Sequence, residues 1–219
     1  MLSRPIFSRG VKIVSGVLMV FFVLIPAFYV FSQLNLGILS TELNSSDLKW
    51  AQLWIALVNS FQIGLTVIFL DVLVGLPFAF MLTREKWPTF TSVLDAILDL
   101  PLAIPSAALG FAIFLFWGAA GLNVAQPGLN MIIFVHITFT FPYVVLPIAA
   151  TIKNVNVGHE GASATLGAAP LTTFRKITFP SILNGIIAGM IAAFTQSLGE
   201  TGATLVVMGG DRTVPAAIS

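Results

Sequence analysis

Few side chains in this chain could do chemistry. Of 219 residues only 9% are charged, two are histidine and none is cysteine, so disulfides and thiolate metal sites are excluded. His136 and His159 stand too far apart in sequence to suggest a metal pair, and no H-E-x-x-H stretch occurs. There is no G-x-x-x-x-G-K-[ST] loop to cradle a nucleotide phosphate, and no pairing of catalytic residues of the kind a hydrolase needs. A net charge of +1 offers nucleic acid nothing to hold. What stands out instead is ionisable residues set singly in apolar runs, chiefly Asp71, His136 and Glu200. One polar segment, ASATLGAAPLTTFRKITFP (162–180), lies between two such runs.

A lone charge at mid-membrane costs about 2.5–3.5 kcal/mol by insertion scales, so Asp71 needs a reason to be where it is. At about 100° per residue Ser60, Gly64, Asp71 and Gly75 share one helix face. That small face predicts tight packing on a neighbouring helix, with Asp71 bonded there or protonated; a role in an ion path is the alternative. His136, in a run with Thr138 and Thr140, reads as a helix–helix hydrogen bonder rather than a ligand.

The elements that must position these residues follow from composition. The chain is 57% hydrophobic, against roughly 45–50% apolar and 25% charged residues in a soluble domain. One water-soluble core cannot hide such a surplus, so the expected class is an all-α membrane protein. A spanning helix takes about 20 apolar residues, and five stretches qualify: 11–31, 55–82, 100–117, 131–152 and 182–199. Before the third, Asp95 and Asp99 predict an interfacial segment, and Pro105 and Gly110 predict an irregular span. The first run is too long for a signal-peptide core of about 7–15 residues and lacks an A-x-A site, so it reads as an uncleaved anchor.

Basic residues collect on the cytoplasmic side. With the N-terminus inside, Arg4, Arg9, Lys12, Arg84, Lys86, Lys153, Arg175 and Lys176 face the cytoplasm, and only Lys49 and Arg212 face out. A multi-pass membrane protein with its N-terminus in the cytoplasm is the resulting expectation. The loop 153–181 is then cytoplasmic. Five spans from an N-in start leave the C-terminus outside, so a sixth span beyond Ser219 is expected.

Within that loop, Gly167 suits the left-handed position after a helix and Pro170 the first position of the next. A short helix from Pro170 to about Ile177 would set Leu171 and Phe174 on one side, beside Arg175 and Lys176, with Pro180 ending it. The product is a small knob shaped to dock on another protein; a structured connector with no partner is the alternative.

The same segment resembles the EAA loop of permease subunits of ABC importers, EAA-x3-G-x9-I-x-L-P. Gly167 takes the glycine, Ile177 lies ten residues on and Pro180 closes the pattern. Gly161-Ala162-Ser163 stands where Glu-Ala-Ala is usual, Glu160 is one place early and Phe179 replaces Leu. Two further stretches, LPLAIPSAALGFAIFLF (100–116) and SLGETGATLVVMGG (197–210), look like the molybdate, tungstate and sulfate branch of these permeases, with Thr201 where Phe is common.

The resemblance covers the chain from about Asn59 onward. It implies one transmembrane permease domain over 1–219, with the type I importer fold and no catalysis or cofactor of its own. A second permease subunit would pair with it as homodimer or heterodimer, ABC ATPase subunits would grip the loop in the cytoplasm, and an extracytoplasmic binding protein would deliver substrate. The implied cargo is a small oxyanion, molybdate or tungstate first. Sulfate is the nearest rival, with thiamine, iron and phosphate importers after it. A channel or secondary transporter working without ATPases is the reading from another class.

The resemblance marks Glu160, Gly161, Ala162, Gly167, Pro170, Leu171, Phe174, Arg175, Ile177 and Pro180 as the ATPase-coupling loop. On a wheel of about 3.6 residues per turn, Gly185, Gly189, Ala192, Gln196, Glu200 and Ala203 fall within about 60°. Gly185 and Gly189 form a G-x-x-x-G suited to close backbone approach. This stripe reads as packing, as a translocation path lined by Gly189, Gln196, Glu200 and Ala203, or as both along one face. Glu200 would repel an oxyanion, so the expectation there is hydrogen bonding to nearby backbone at the outer mouth.

Overall fold

The structure, a computed structural model, describes residues 9–32, 37, 47–85, 87–209 and 213. Every regular element among them is helical. In a membrane interior this is the expected solution, because a helix satisfies its own backbone groups where no water can. Two compact units are distinguished, 1–50 and 51–219.

In the first unit α1 (Arg9–Met19) and α2 (Ile25–Ser32) are joined by a π-helical turn, Val20–Leu24. This covers the first expected span. The second unit holds almost all of α3 (Asp47–Arg84), then α4 (Pro88–Ala103), α5 (Ser106–Trp117), α6 (Leu129–Asn154), α7 (Val157–Thr165), α8 (Pro170–Thr173), α9 (Phe179–Gly199) and α10 (Gly202–Val207). Among the described residues, three helices are long and apolar enough to cross a membrane. The α4–α5 pair would make a fourth.

The third expected span, 100–117, is not one rod. Leu100–Ala103 belongs to α4, and the chain bends by 110° before α5. Pro105 disfavours the helical conformation at the residue before it; Ile104 is extended (φ −95°, ψ 134°) and α5 starts afresh at Ser106. Gly110, by contrast, does not break α5. A Cβ there would lie 2.9 Å from Ala203 Cα, so the glycine lets α10 lie against α5.

α6 is the most buried helix and α9 its main neighbour. A Cβ on Gly185 would meet Pro147 O at 2.8 Å, and one on Gly189 would meet Val144 Cα at 3.0 Å. The G-x-x-x-G pair therefore seats α9 directly on the α6 backbone. Buried Val145, Ile148 and Ile152 of α6 and Ile182 and Ile186 of α9 fill one end of the unit. Met131, Ile132 and Val135 of α6, with Ile63, Val67 and Val207, fill another. Phe69 and Leu73 of α3 point outward, 67% and 60% exposed, as a lipid-facing surface requires.

Candidate coupling loop and translocation path

The loop 153–181 is a compact bracket. Asn156 caps α7, its Oδ1 accepting from Gly158 N at 2.8 Å. At the other end Gly167 has φ +79°; its N–H donates to Ala164 O, and Ala168 N–H to Ser163 O, both at 3.0 Å. These two bonds are the Schellman closure that a left-handed glycine permits. Across the turn the Ser163 and Thr173 hydroxyls bond at 2.6 Å, tying α7 to α8.

Glu160 anchors the bracket. Its Oε2 pairs with Arg84 Nη1 at 3.3 Å, and its Oε1 accepts from Arg84 Nη2 at 3.3 Å and from buried Thr178 Oγ1 at 2.7 Å. Three elements thus meet on one carboxylate: the end of α3, the first turn of α7 and the root of α9. The tip carries the apolar residues, with Leu166 87% and Leu171 75% exposed. Gly161, Ala162, Pro170, Arg175 and Lys176 are exposed as well, while Ile177 is half-buried.

Two expectations about this loop are corrected. Pro180 does not end the second arm. Residues 170–199 run as one helix through a π-helical turn, Phe174–Thr178, in which Phe179 N–H bonds Phe174 O. A ring at 180 has no N–H to give and crowds the carbonyl one turn back; a wider turn just before it lets the helix continue. Nor do Leu171 and Phe174 share a face. Phe174 turns inward onto Phe80, ring centroids 5.9 Å apart, leaving Leu171 outside.

The expected path stripe is not one exposed face. Gly189 and Ala203 are fully buried against the chain's own helices, Gly189 on α6 and Ala203 on α5. Of the four expected lining residues only Gln196 is exposed, its Nε2 donating to Tyr143 Oη at 3.0 Å, and Glu200 is half-buried. A wheel drawn through 203 fails because Glu200 (ψ 121°) is extended and α10 begins with a new direction. Glu200 does bond to backbone, its Oε1 accepting from Ala203 N at 2.8 Å at the start of α10.

The small face of α3 packs as its spacing predicts. A Cβ on Gly64 would collide with the Phe194 ring and one on Gly75 would press on Val145. Asp71 is buried between them, Oδ2 taking a 2.6 Å bond from Thr140 Oγ1 while Oδ1 has no hydrogen-bond partner among the described residues. His136 bonds Ser197 Oγ at 2.8 Å and Thr204 Oγ1 at 2.9 Å. Sequence reasoning missed Arg84, Tyr143, Thr178, Ser197 and Thr204 as partners. Among the described residues no three His, Asp or Glu side chains cluster as a metal site would need.

A family model described as "Binding-protein-dependent transport system inner membrane component" matches residues 72–219. The chain belongs to that family. It is a multi-pass membrane protein of the ABC importer permease class. It is similar to the sulfate transport system permease protein CysT of Salmonella typhimurium, 34% identical over 182 residues, 75% of this chain and 65% of that protein. The molybdenum transport system permease protein ModB of Escherichia coli K12 is 32% identical over 75% of this chain and 78% of its own length. The molybdate/tungstate transport system permease protein WtpB of Methanocaldococcus jannaschii is 30% identical over 91% of this chain and 78% of its own. The match to CysT thus spans just under two thirds of that protein.

Proposed function

We propose that this permease chain forms half of the translocation path of an ATP-driven importer for a tetrahedral oxyanion. Molybdate or tungstate is the first choice and sulfate an equal rival on the names of the relatives. The observation that carries the ATP-driven part is the bracket 153–181: an apolar tip, Leu166 and Leu171, on a base braced by Glu160. Two exposed leucines held on a stiff, small support suit a groove on a soluble partner, and a phosphate-binding loop is absent from this sequence. That partner is a cytoplasmic ABC ATPase, which puts the N-terminus inside. A binding protein outside supplies the anion, and a second permease subunit completes the path beside α9. Gln196 and Glu200 are the residues of that path, with Glu200 shaping the mouth through its bond to Ala203 N.

Proteoliposomes holding the permease, its ATPase and its binding protein test this. Uptake of labelled molybdate or tungstate that needs ATP and binding protein supports the first choice, and uptake of sulfate alone moves the substrate to the rival. Anion flux without ATP would refute the importer reading.

A further inference from the structure

The break between α9 and α10 is bridged by one side chain of a third helix. α9 ends at Gly199, Glu200 is extended, and α10 starts at Gly202. His136, buried on α6, lies against both sides of this break. Its Nδ1 is 2.8 Å from Ser197 Oγ in the last turn of α9, and its Nε2 is 2.9 Å from Thr204 Oγ1 in the first turn of α10. One assignment uses every hydrogen once: Thr204 gives its hydroxyl hydrogen to Glu200 O at 3.1 Å and accepts from a ring proton on His136 Nε2. Nδ1 is then the acceptor, and the Ser197 hydroxyl donates to it.

The neighbouring contacts seat the two segments on different helices. α10 is seated on α5 through Gly110 and Ala203, and its last turn is held where Gly128 N donates to Val207 O at 2.9 Å. α9 is seated on α6 through Gly185 and Gly189. His136 is hydrogen-bonded to both segments. A swing at residues 199–202 must lose one of its bonds and leave a buried polar atom unpaired, so the break favours discrete positions over continuous flexing.

We propose that His136 is a positioning residue for transport. It sets the angle of the α9–α10 break and so the placement of Gln196, next to Ser197, and of Glu200, one turn before Thr204. This rests on the reading of Gln196 and Glu200 as path residues. The test places spin labels on cysteines at Thr195 and Leu205, both exposed and one on each side of the break, in the permease chain alone in lipid nanodiscs. The expected result is one narrow distance for the native His136 background and a broadened or shifted one for His136→Leu. His136→Gln, whose amide oxygen and nitrogen can reach the same two hydroxyls, should restore the narrow distance.

Uptake by the unlabelled variants in the assembled transporter should fall at least about tenfold for Leu and recover for Gln. If His136→Leu does not fold, Ser197→Ala and Thr204→Val each remove one arm and must each broaden the distance. Distances unchanged in the Leu variant, or in either single-arm variant, overturn the proposal, as does broadening with unchanged uptake. The path reading fails separately, if a cysteine at Gln196 in the native His136 background never meets water-soluble reagent.

Discussion

Removing the carboxylate of Glu160 should loosen the bracket 153–181 by an amount the contacts define. In Glu160→Ala the buried Thr178 hydroxyl loses its 2.7 Å acceptor, and stranding a buried donor costs about 1–3 kcal/mol. The Arg84 pair is lost too; with side chains 30% and 23% exposed, solvent screening holds its share to about 0.2–1 kcal/mol. A total near 2 kcal/mol corresponds to about a 30-fold rise in the opening equilibrium, since each 1.4 kcal/mol is about tenfold. Glu160→Gln keeps an oxygen for Thr178 and loses only the charge, so its rise should stay under about fivefold. Hydrogen exchange of the amides of 157–178 in nanodiscs reads these ratios directly, because exchange through local opening tracks the opening free energy. In the assembled transporter the Ala variant should hydrolyse ATP with little uptake. Equal exchange in native, Gln and Ala proteins would refute the brace, and an Arg84→Met change as large as the Ala change would refute the larger share given to Thr178.

Other expected outcomes follow from single contacts. Gly167→Val forces a β-branched residue to φ +79°, a strain of roughly 1–2 kcal/mol, and should lower the ratio of uptake to ATP hydrolysis while the protein still inserts in the membrane. Gly189→Leu drives a side chain into the α6 backbone, where a bare Cβ already lies 3.0 Å from Val144 Cα; overpacking of about 1–3 kcal/mol or more should appear as a lowered melting temperature in detergent. In this cysteine-free chain, a cysteine at Gln196 should react with water-soluble thiol reagents and one at buried Ala203 should not. One at Ile187, 44% exposed on an apolar surface, should react only with lipid-soluble reagents. Reporter fusions at Lys86 and Gly167 should read cytoplasm and one at Gln126 the outside; inversion at either side overturns the orientation.

Long apolar runs made the spans of α3, α6 and α9 legible, because length and composition alone decide whether a helix can cross a membrane. The turn at Gly167 was legible for a local reason: a glycine before a helix-starting proline has few other uses. The small face around Asp71 was readable from periodicity within one unbroken helix. Periodicity failed where the helix did. Glu200 leaves helical geometry, so Ala203 left the face that a straight wheel assigned to it. Pro180 misled in the opposite direction, since a π-helical turn absorbed it. The partners of Glu160 were invisible because Arg84 lies 76 residues away, a pairing set by how α3 and α7 pack and not by any local pattern.

We propose that the bracket 153–181 carries force from an ATPase to the membrane path. Photo-reactive residues in place of Leu166 and Leu171, in the full complex, test it most directly. Both should cross-link to the ATPase subunit, with yields that change between the ATP-free and the ATP-bound, hydrolysis-blocked complex. Leu122, 56% exposed in the turn after α5, should give no such product. Absence of the product at both loop positions in an intact, ATP-hydrolysing complex, or an equal yield at Leu122, would contradict the account.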